Sequence, residues 1–273
     1  MRVVCNKDCV TLDQESYIDQ LLDKFNMLDC HSSNTPMEFK LNLSKGDKCD
    51  VSIPYQRLIG SLMYLSVLTR PDIAFSVSYM SQFNNCFTKE HWHHAKRILK
   101  YLKKTKHYGL KYDSKLNSEI IGYVDADWGS DVISRRSYTG FVFELSGAAI
   151  SWESRKQKVV ALSTTEAEYI GISESCKEAI YLQNLQCEIT ASSYTIILYN
   201  DNQSAQKLLL NPVFHNKSKH IDIRFHFCKE IIAKNLVNVQ YLCTADMPAD
   251  LLTKSLNSIK HKTFVKAIGL VEK

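Results

Sequence analysis

Several features that mark other protein classes are missing from this chain of 273 residues. No apolar run reaches the roughly 20 residues that span a bilayer, and the first residues lack the apolar region of a signal peptide. The nine cysteines form no CxxC pair, which disfavours both a disulfide framework and a zinc finger. These absences predict an intracellular protein with free thiols and no membrane association.

The positive charge is concentrated in the first part of the chain. Residues 1–118 carry a net charge of +5, whereas residues 119–273 are neutral overall. Seven basic residues follow one another without an acidic residue between them: Lys96, Arg97, Lys100, Lys103, Lys104, Lys106 and Lys111. Such a stretch fits a polyanionic partner, although a solvated helix face is the more ordinary explanation.

Residues 1–115 are predicted to form a hairpin followed by several helices. Residues 3–5 and 9–12 are β-rich and flank a polar turn. Apolar residues recur at helical spacing over 14–28, 58–67 and 73–83. Residues 31–52 contain Pro36, Gly46 and many polar side chains, which predicts a loop.

The clearest amphipathic helix is predicted over residues 91–106. Its apolar face carries Trp92, Ala95, Leu99 and Leu102, and its opposing face carries Lys96, Lys100 and Lys103. The helix is short for a membrane-surface anchor. We therefore expect it to pack on a core and to present its lysines to nucleic-acid phosphates.

From residue 120 onward, short β-rich segments alternate with helices. Three antiparallel strands are predicted over 120–124, 140–145 and 148–152. A long helix follows over 163–185, then a strand over 195–199, helices over 202–210 and 221–233, a strand over 237–242 and a helix from Pro248. This order is typical of a mixed α/β domain of about 150 residues, with its boundary near residues 113–119.

Four carboxylates lie at the ends of these predicted elements. Asp125 ends the first of these strands, Glu166 begins the long helix, Asp201 follows the fourth strand, and Asp250 begins the last helix. Carboxylates so placed can converge above one edge of a sheet. Two divalent cations require such oxygen ligands, so we predict that these four residues bind two Mg²⁺ ions, with Mn²⁺ as an alternative, and act on a phosphodiester.

Each of these residues also has a simpler explanation. Ser163 and Glu166 have the spacing of a helix capping box, and Asp201 has the position of a helix cap. Asp250 would complement the positive end of its helix. Asp127 points the same way along its strand as Asp125 and is an alternative ligand. The order of the four acids is more specific than any one of them.

Eight stretches of the chain have the sequences of motifs found in one family. They are residues 55–65 (YQRLIGSLMYL), 69–74 (TRPDIA), 91–92 with 95–99 (HW, AKRIL), 125–128 (DADW), 163–169 (STTEAEY), 201–205 (DNQSA), 219–224 (KHIDIR) and 249–254 (ADLLTK). With these stretches, residues 8–270 resemble the carboxyl-terminal end of the Pol polyprotein of copia-type long-terminal-repeat retrotransposons.

The resemblance implies two domains. Residues 1–115 would be a mostly helical thumb and connection remnant of a reverse transcriptase, without a polymerase site. Residues 119–273 would be a ribonuclease H of α/β class, with a mixed five-stranded sheet and flanking helices. Its metal-binding acids would be Asp125, Glu166, Asp201 and Asp250. The implied activity is endonucleolytic hydrolysis of the RNA strand of RNA/DNA hybrids, as one part of a reverse transcriptase.

Two other functions are compatible with the sequence. One is an inactive, truncated or host-adopted nucleic-acid-binding fragment, in which residues 58–83 would fail to pack and would stay exposed. The other is an integrase-like nuclease, against which the acid at Glu166 argues.

Further basic residues are predicted to contact nucleic-acid phosphates. They are Arg135, Arg136, Arg155, Lys156, Lys158, Lys219, His220 and Arg224. The histidines at 215, 220 and 226 lack cysteine partners at finger spacing, which disfavours zinc. Trp128 and Trp152 are expected to belong to the core.

Overall fold

The computed structural model describes residues 1–46, 49–116, 118–131, 134–192, 194–210 and 219–273, without the side chains of residues 210, 219–223 and 225. The chain divides into two compact units. Unit 1 consists of Met1–Leu116, Gly147–Ala149 and Lys254–Lys273, and unit 2 consists of Asn117–Ser146 and Ile150–Thr253. The sequence predicted a boundary near residues 113–119 and a second domain that runs to residue 273. Unit 2 begins at residue 117, whereas Lys254–Lys273 lies in unit 1.

The described residues form strands, α-helices and short 3-10 helices. The strands are β1 (Arg2–Cys5), β2 (Cys9–Asp13), β3 (Tyr108–Asp113), β4 (Ile121–Asp127), β5 (Tyr138–Leu145), β6 (Ala148–Lys156), β7 (Ile196–Asn200), β8 (Val237–Tyr241) and β9 (Leu270–Glu272). The α-helices are α1 (Glu15–Lys24), α2 (Tyr55–Leu68), α3 (Ala74–Ser81), α4 (Lys89–Lys104), α5 (Thr164–Thr190), α6 (Gln203–Leu210), α7 (Lys219–Ala233) and α8 (Ser258–Ala267). The 3-10 helices are Pro71–Ile73, Thr244–Asp246 and Pro248–Leu252.

Unit 1 combines helices with a four-stranded antiparallel sheet of order β1-β2-β3-β9. Leu110 of β3 pairs with Leu12 of β2 on one side and with Leu270 of β9 on the other. This pairing explains why the end of the chain belongs to unit 1. The predicted hairpin is present as β1 and β2, whereas the rest of the sheet adds to the mostly helical unit that the sequence indicated.

The helices of unit 1 bury their apolar side chains. The core includes Leu58, Ile59, Leu62, Leu65, Ile73, Val77 and Met80 of residues 58–83, and Ala95, Ile98, Leu99 and Leu102 of α4. Met63, Tyr64, Val67 and Leu68 lie on an exposed face of α2. The segment that would be exposed in a fragment unable to fold is therefore largely buried.

Unit 2 is built on a mixed five-stranded sheet of order β6-β5-β4-β7-β8. The central strand β4 pairs with β5 in the antiparallel sense and with β7 in the parallel sense, and β7 is parallel to β8. The expected number of strands and their mixed directions are confirmed. Because β4 and β7 are parallel, their carboxyl ends meet at the same edge of the sheet.

The long helix α5 packs closely against one face of this sheet. Gly171 lies at the closest approach, where an added Cβ would be 3.3 Å from Cγ2 of Val124 and 3.5 Å from Cγ2 of Thr139. Apolar residues that follow along the same helix, Ile172 and Cys176, are fully buried. The glycine therefore lets the amino-terminal turns of α5 approach the end of β4.

The segment after β8 differs from the sequence-based expectation. The predicted helix from Pro248 is a five-residue 3-10 helix, Pro248–Leu252, and α8 begins separately at Ser258. The short helix lies over Gly140 of β5, where an added Cβ would be 2.6 Å from Cβ of Leu252. In the described part of the chain, no helix combines the length and the hydropathy needed to cross a bilayer.

Candidate active site

The parallel strands β4 and β7 bring two aspartates together. Val124 of β4 is in register with Asn200 of β7, so Asp125 and Asp201 occupy the next position along each strand. Asp125 is buried, with 2% of its surface exposed, whereas Asp201 is partly accessible. Both aspartates thus lie where the sequence predicted them, at one edge of the sheet.

A third carboxylate, Glu168, comes from the second turn of α5. One oxygen from each of Asp125, Glu168 and Asp201 lies within 4.8 Å of the other two. Only 5% of the Glu168 surface is exposed. We call these three residues the acidic triad.

The electrostatics of the acidic triad are dominated by burial and like charge. Burial raises the pKa of Glu168 well above its ordinary value, and the negative charges of Asp125 and Asp201 add to this effect. The side-chain amide of Asn200, 2.9 Å from Oε2 of Glu168, and the backbone of Ala126 partly offset it. A cluster of this kind binds a proton or a cation more readily than an isolated carboxylate does.

The donor set of the acidic triad suits a hard divalent cation. It consists of carboxylate oxygens, which are the ligands that Mg²⁺ and Mn²⁺ prefer in proteins. Burial and the neighbouring carboxylates raise the pKa of Glu168, so a bound cation would favour the charged form of the cluster. The residues present therefore fit a divalent metal.

Glu166, the acid expected on the long helix, lies outside the acidic triad. Its carboxylate accepts a hydrogen bond from the backbone N–H of Leu162 at 2.9 Å, while its own N–H donates to Oγ of Ser163 at 3.2 Å. Ser163 therefore caps the helix as the sequence suggested, but the returning bond to Glu166 comes from Leu162, one residue before the N-cap position of a capping box. The structure brings Glu168, and not Glu166, together with Asp125 and Asp201.

The helical periodicity of the sequence could have indicated that Glu168 faces the sheet. Glu168 precedes the buried Ile172 by four residues, so the two share the face of α5 that packs on the sheet. Glu166 is six residues from Ile172 and lies on another face. The position at the helix start had favoured Glu166, but orientation decides which carboxylate reaches the strand ends.

The other candidate acids lie near the acidic triad but outside it. Asp250 is fully buried in the 3-10 helix Pro248–Leu252. Its backbone carbonyl accepts from the N–H of Thr253 at 3.3 Å, and the Thr253 hydroxyl donates to Oδ2 of Asp125. Asp127, which shares a face of β4 with Asp125, is also outside the group. The residue that caps α6 is Asn202, since its Oδ1 accepts from Ala205 N–H at 3.0 Å, so Asp201 is not needed for that role.

Similar proteins were found among curated sequences, whereas no protein-family model matches. The retrovirus-related Pol polyprotein from transposon TNT 1-94 of Nicotiana tabacum is 40% identical over 268 residues, which are 95% of this chain and 20% of that protein. The polyprotein from transposon RE2 of Arabidopsis thaliana is 35% identical over 264 residues, 96% of this chain and 18% of that protein. Over nearly its whole length, the chain is similar to one part of the retrovirus-related Pol polyproteins of transposons. It spans about a fifth of the length of these relatives.

The fold has a counterpart in a viral enzyme. A foamy viral protease-reverse transcriptase, solved in complex with double-stranded DNA, matches with a TM-score of 0.50 at 13% identity, over 89% of this chain and 38% of that chain. At this identity the likeness concerns the fold alone. The predicted α/β class with a mixed five-stranded sheet and flanking helices is confirmed.

The basic residues predicted in unit 2 fall into three groups. Arg135, Arg136 and Lys158 are exposed. Others are held in ion pairs with acids of the same unit: the exposed Arg155 with Glu153 at 3.2 Å, Lys156 with Asp131 at 2.7 Å, and Arg224 with Glu174 at 3.5 Å. The side chains of Lys219 and His220 lie outside the described residues. The first group is the best placed to reach a phosphate.

The lysine face of α4 is partly covered. Lys96, Lys100 and Lys103 are all partly buried. The ammonium group of Lys103 donates to the backbone carbonyl of Cys30 at 2.8 Å, and that of Lys96 lies 5.6 Å from the centre of the Trp92 ring. Their contact with nucleic acid stays a prediction, but Lys103 already has a partner within unit 1.

Trp128, expected in the core, lies at the surface. Its surface is 49% exposed, and its indole N–H donates to the carbonyl of Ala161 at 3.0 Å. Ala161 packs with Ala126 and Ala167, next in sequence to Asp125 and Glu168. The hydrogen bond therefore ties the end of β4 to the segment that precedes α5. Trp152 is partly buried.

Proposed function

We propose that unit 2 is a ribonuclease H that uses two divalent metal ions to hydrolyse the RNA strand of RNA/DNA hybrids, as one part of a retrotransposon reverse transcriptase. The observation that carries this proposal is the acidic triad at the carboxyl ends of two parallel strands. Similarity to the Pol polyproteins of plant transposons supports it. The two-metal chemistry and the hybrid substrate are the parts that require experiment.

In this proposal, each acid has a role that its position supports. Asp125, Glu168 and Asp201 would hold Mg²⁺, or Mn²⁺ in its place, and the buried Asp250 beside them would complete the set as the fourth carboxylate. The bound cations would supply activation of the attacking water and stabilisation of the leaving oxygen. The protein itself fixes the direction of the carboxylates through the sheet edge, α5 and the 3-10 helix Pro248–Leu252.

The substrate is proposed from the family and from the charge of the chain. A hybrid differs from duplex DNA by the 2′-hydroxyl groups of one strand, which a protein can contact in the minor groove. The exposed Arg135, Arg136 and Lys158 would bind phosphates near the acidic triad. Unit 1 would be the thumb and connection remnant of the reverse transcriptase, working inside the cell with the rest of that enzyme.

The main alternative is a nucleic-acid-binding fragment without activity. Such a fragment would leave the apolar residues of segment 58–83 exposed. In the structure, most of these apolar residues are buried. An integrase-like nuclease was to lack an acid on the long helix, whereas Glu168 provides one. Both observations favour the ribonuclease.

The test is cleavage of an end-labelled RNA/DNA hybrid by the purified chain, with and without Mg²⁺. We expect internal cuts in the RNA strand that leave 3′-hydroxyl and 5′-phosphate ends, only with metal, and none in duplex DNA. Glu168→Gln should abolish cleavage, whereas Glu166→Gln, the matched control two residues away, should retain it. Equal activity of the two variants would contradict the assignment of Glu168, and no cleavage by the wild-type chain would contradict the proposed function.

A further inference from the structure

Each carboxylate of the acidic triad accepts a hydrogen bond from a different neutral side chain. The Thr253 hydroxyl donates to Oδ2 of Asp125. Nδ2 of Asn200 donates to Oε2 of Glu168 at 2.9 Å. The Thr244 hydroxyl donates to Oδ2 of Asp201 at 2.6 Å. We call Thr253, Asn200 and Thr244 the donor shell.

The donor shell comes from three separate elements. Thr253 ends the 3-10 helix Pro248–Leu252, Asn200 ends β7, and Thr244 begins the 3-10 helix Thr244–Asp246. No short motif of the sequence contains all three residues. Only the fold brings them to the same edge of the sheet.

Backbone hydrogen bonds hold two of these donors in place. The N–H of Thr253 donates to the carbonyl of Asp250 at 3.3 Å, which ends the 3-10 turn on which Asp250 lies. Oδ1 of Asn200 accepts from the N–H of Asn202 at 3.0 Å. Because its Oδ1 is used in this way, the amide of Asn200 is oriented with its NH₂ group toward Glu168. The donors are therefore fixed by the fold before any ligand binds.

Two other buried aspartates accept hydrogen bonds from cationic side chains. Asp72 accepts from Arg70 at 2.7 Å, and Asp13 accepts from Arg2 at 2.9 Å. A cationic donor both orients a carboxylate and cancels its charge. A hydroxyl or an amide orients the carboxylate but leaves its negative charge available to a cation.

We propose that Thr253, Asn200 and Thr244 are positioning residues, which set the direction of the triad carboxylates for metal binding through hydrogen bonds from uncharged groups. This inference rests on the proposed function, since it concerns the metal ions of that site. Groups that hydrogen-bond to metal ligands typically contribute 10- to 100-fold to metal affinity. Loss of one hydroxyl should therefore weaken binding even though every ligand is still present.

The test is the affinity for Mn²⁺ alone, measured by titration calorimetry on the full chain without nucleic acid. Thr244→Val and Thr253→Val remove one hydroxyl each and keep the side-chain shape. We expect each to weaken Mn²⁺ binding by about 10-fold. Thr244→Ser and Thr253→Ser, which restore the hydroxyl, should recover most of the wild-type affinity.

Matched controls separate positioning from general stability. The Thr195 hydroxyl donates to the Asn235 carbonyl at 2.7 Å on the exposed surface of unit 2, and the Thr69 hydroxyl donates to Gln14 at 2.7 Å inside unit 1. Thr195→Val and Thr69→Val should leave Mn²⁺ affinity unchanged, whatever their effect on melting temperature. Thr244, which is exposed, provides a test that does not depend on core packing.

The outcomes distinguish this inference from the proposed function. Wild-type Mn²⁺ affinity in both Thr244→Val and Thr253→Val would overturn the positioning role, even if the wild-type chain cleaves hybrids. Absence of Mn²⁺ binding by the wild-type chain would overturn it as well. Weakened binding in the valine variants with recovery in the serine variants supports it, even if the wild-type chain cleaves no hybrid.

Discussion

Each unit of this chain contains a buried cluster of ionisable groups, and the two clusters differ in how their charge is balanced. In unit 1, the guanidinium of Arg70 donates to both carboxylate oxygens of Asp72, at 2.9 and 2.7 Å, and the Tyr101 hydroxyl donates to the same carboxylate at 2.6 Å. Burial acts to raise the pKa of Asp72, but Arg70 and Tyr101 hold it below its ordinary value. The positive charge of Arg70 therefore balances the negative charge of Asp72 within this cluster.

The acidic triad of unit 2 brings three carboxylates together. Burial and two neighbouring aspartates raise the pKa of Glu168. A fold gains nothing in stability from like charges held together, because each repels the others in a medium of low dielectric constant. The contrast indicates that the cluster of unit 1 serves the fold and that the acidic triad serves a ligand.

The largest effect on stability is expected from breaking the buried ion pair between Arg70 and Asp72 in unit 1. Arg70→Met leaves Asp72 buried without its counter-ion, which should lower the free energy of unfolding by about 3–5 kcal/mol. Denaturant titration measures this change. Lys234→Met removes one partner of an exposed pair with Glu230 and should change stability little. Equal effects of the two substitutions would contradict the structural role of the buried pair.

The largest effect on activity is expected from removing one negative charge from the acidic triad. Asp201→Asn keeps the shape of the side chain but weakens the binding of divalent metal. Hybrid cleavage should fall at least about a hundredfold, on the order of 3 kcal/mol of barrier, with little change in the metal-free melting temperature. Asn202 is the residue that caps α6, so loss of a cap does not explain such a result. Cleavage at the wild-type rate would contradict the metal-binding role of Asp201.

A smaller effect is expected on the pH dependence of stability without metal. Because the folded-state pKa of Glu168 is raised, the folded state keeps a proton that the unfolded chain loses. Stability is therefore greatest below the unfolded pKa of about 4.3 and falls as the pH rises toward the folded pKa. The slope contributed by this one group is at most about 1.4 kcal/mol per pH unit. Denaturant titrations between pH 4 and 8 without metal measure it, and Glu168→Gln should flatten the curve.

Glu144 provides the control for that experiment. Burial raises the pKa of Glu144 to about 8, so this residue acts on stability in the same direction as Glu168. Glu144→Gln should also flatten the metal-free curve, up to about pH 8. Added Mg²⁺ should restore the stability of Glu144→Gln and wild type at pH 7, but not that of Glu168→Gln. Identical curves for Glu168→Gln and wild type would contradict the raised pKa.

The strand ends could be predicted from the sequence because alternation and turn residues mark them locally. Asp125 and Asp201 were found in this way, and the parallel pairing of β4 and β7 brings them together. Glu168 was missed because a capping box at Ser163 and Glu166 gave a stronger local signal on the same helix. The choice between the two acids depends on which face of α5 meets the sheet.

Features that depend on contacts between distant parts of the sequence were not predicted. The strand β9 has three residues, Leu270–Glu272, too few to show a period, and its pairing with β3 joins segments about 160 residues apart. The assignment of Lys254–Lys273 to unit 1 follows from this pairing. The donors Thr244 and Thr253 are equally non-local, because neither gives any sign in the sequence that it faces a carboxylate.

The smallest expected effect concerns which unit holds the phosphates of a hybrid. Each phosphate contact to a duplex contributes about 0.9 to the slope of log affinity against log salt concentration. Arg135→Gln combined with Arg136→Gln should lower the slope by up to about 1.8, since both side chains are exposed in unit 2. Replacing Lys96, Lys100 and Lys103 together would lower it by roughly 2–3 if all contact phosphate.

The hydrogen bond made by Lys103 lowers the change in slope that we expect for the triple lysine variant. Its ammonium group already donates to the Cys30 carbonyl, so Lys103→Gln alone should leave the slope unchanged, and Lys96→Gln and Lys100→Gln should account for any loss in unit 1. Binding of a fluorescent hybrid between 50 and 200 mM salt, in Ca²⁺ to prevent cleavage, measures each slope. If the slope falls fully in the triple lysine variant and does not change in the double arginine variant, the phosphate contacts lie on unit 1. The reverse result would place them on unit 2, the unit that carries the acidic triad.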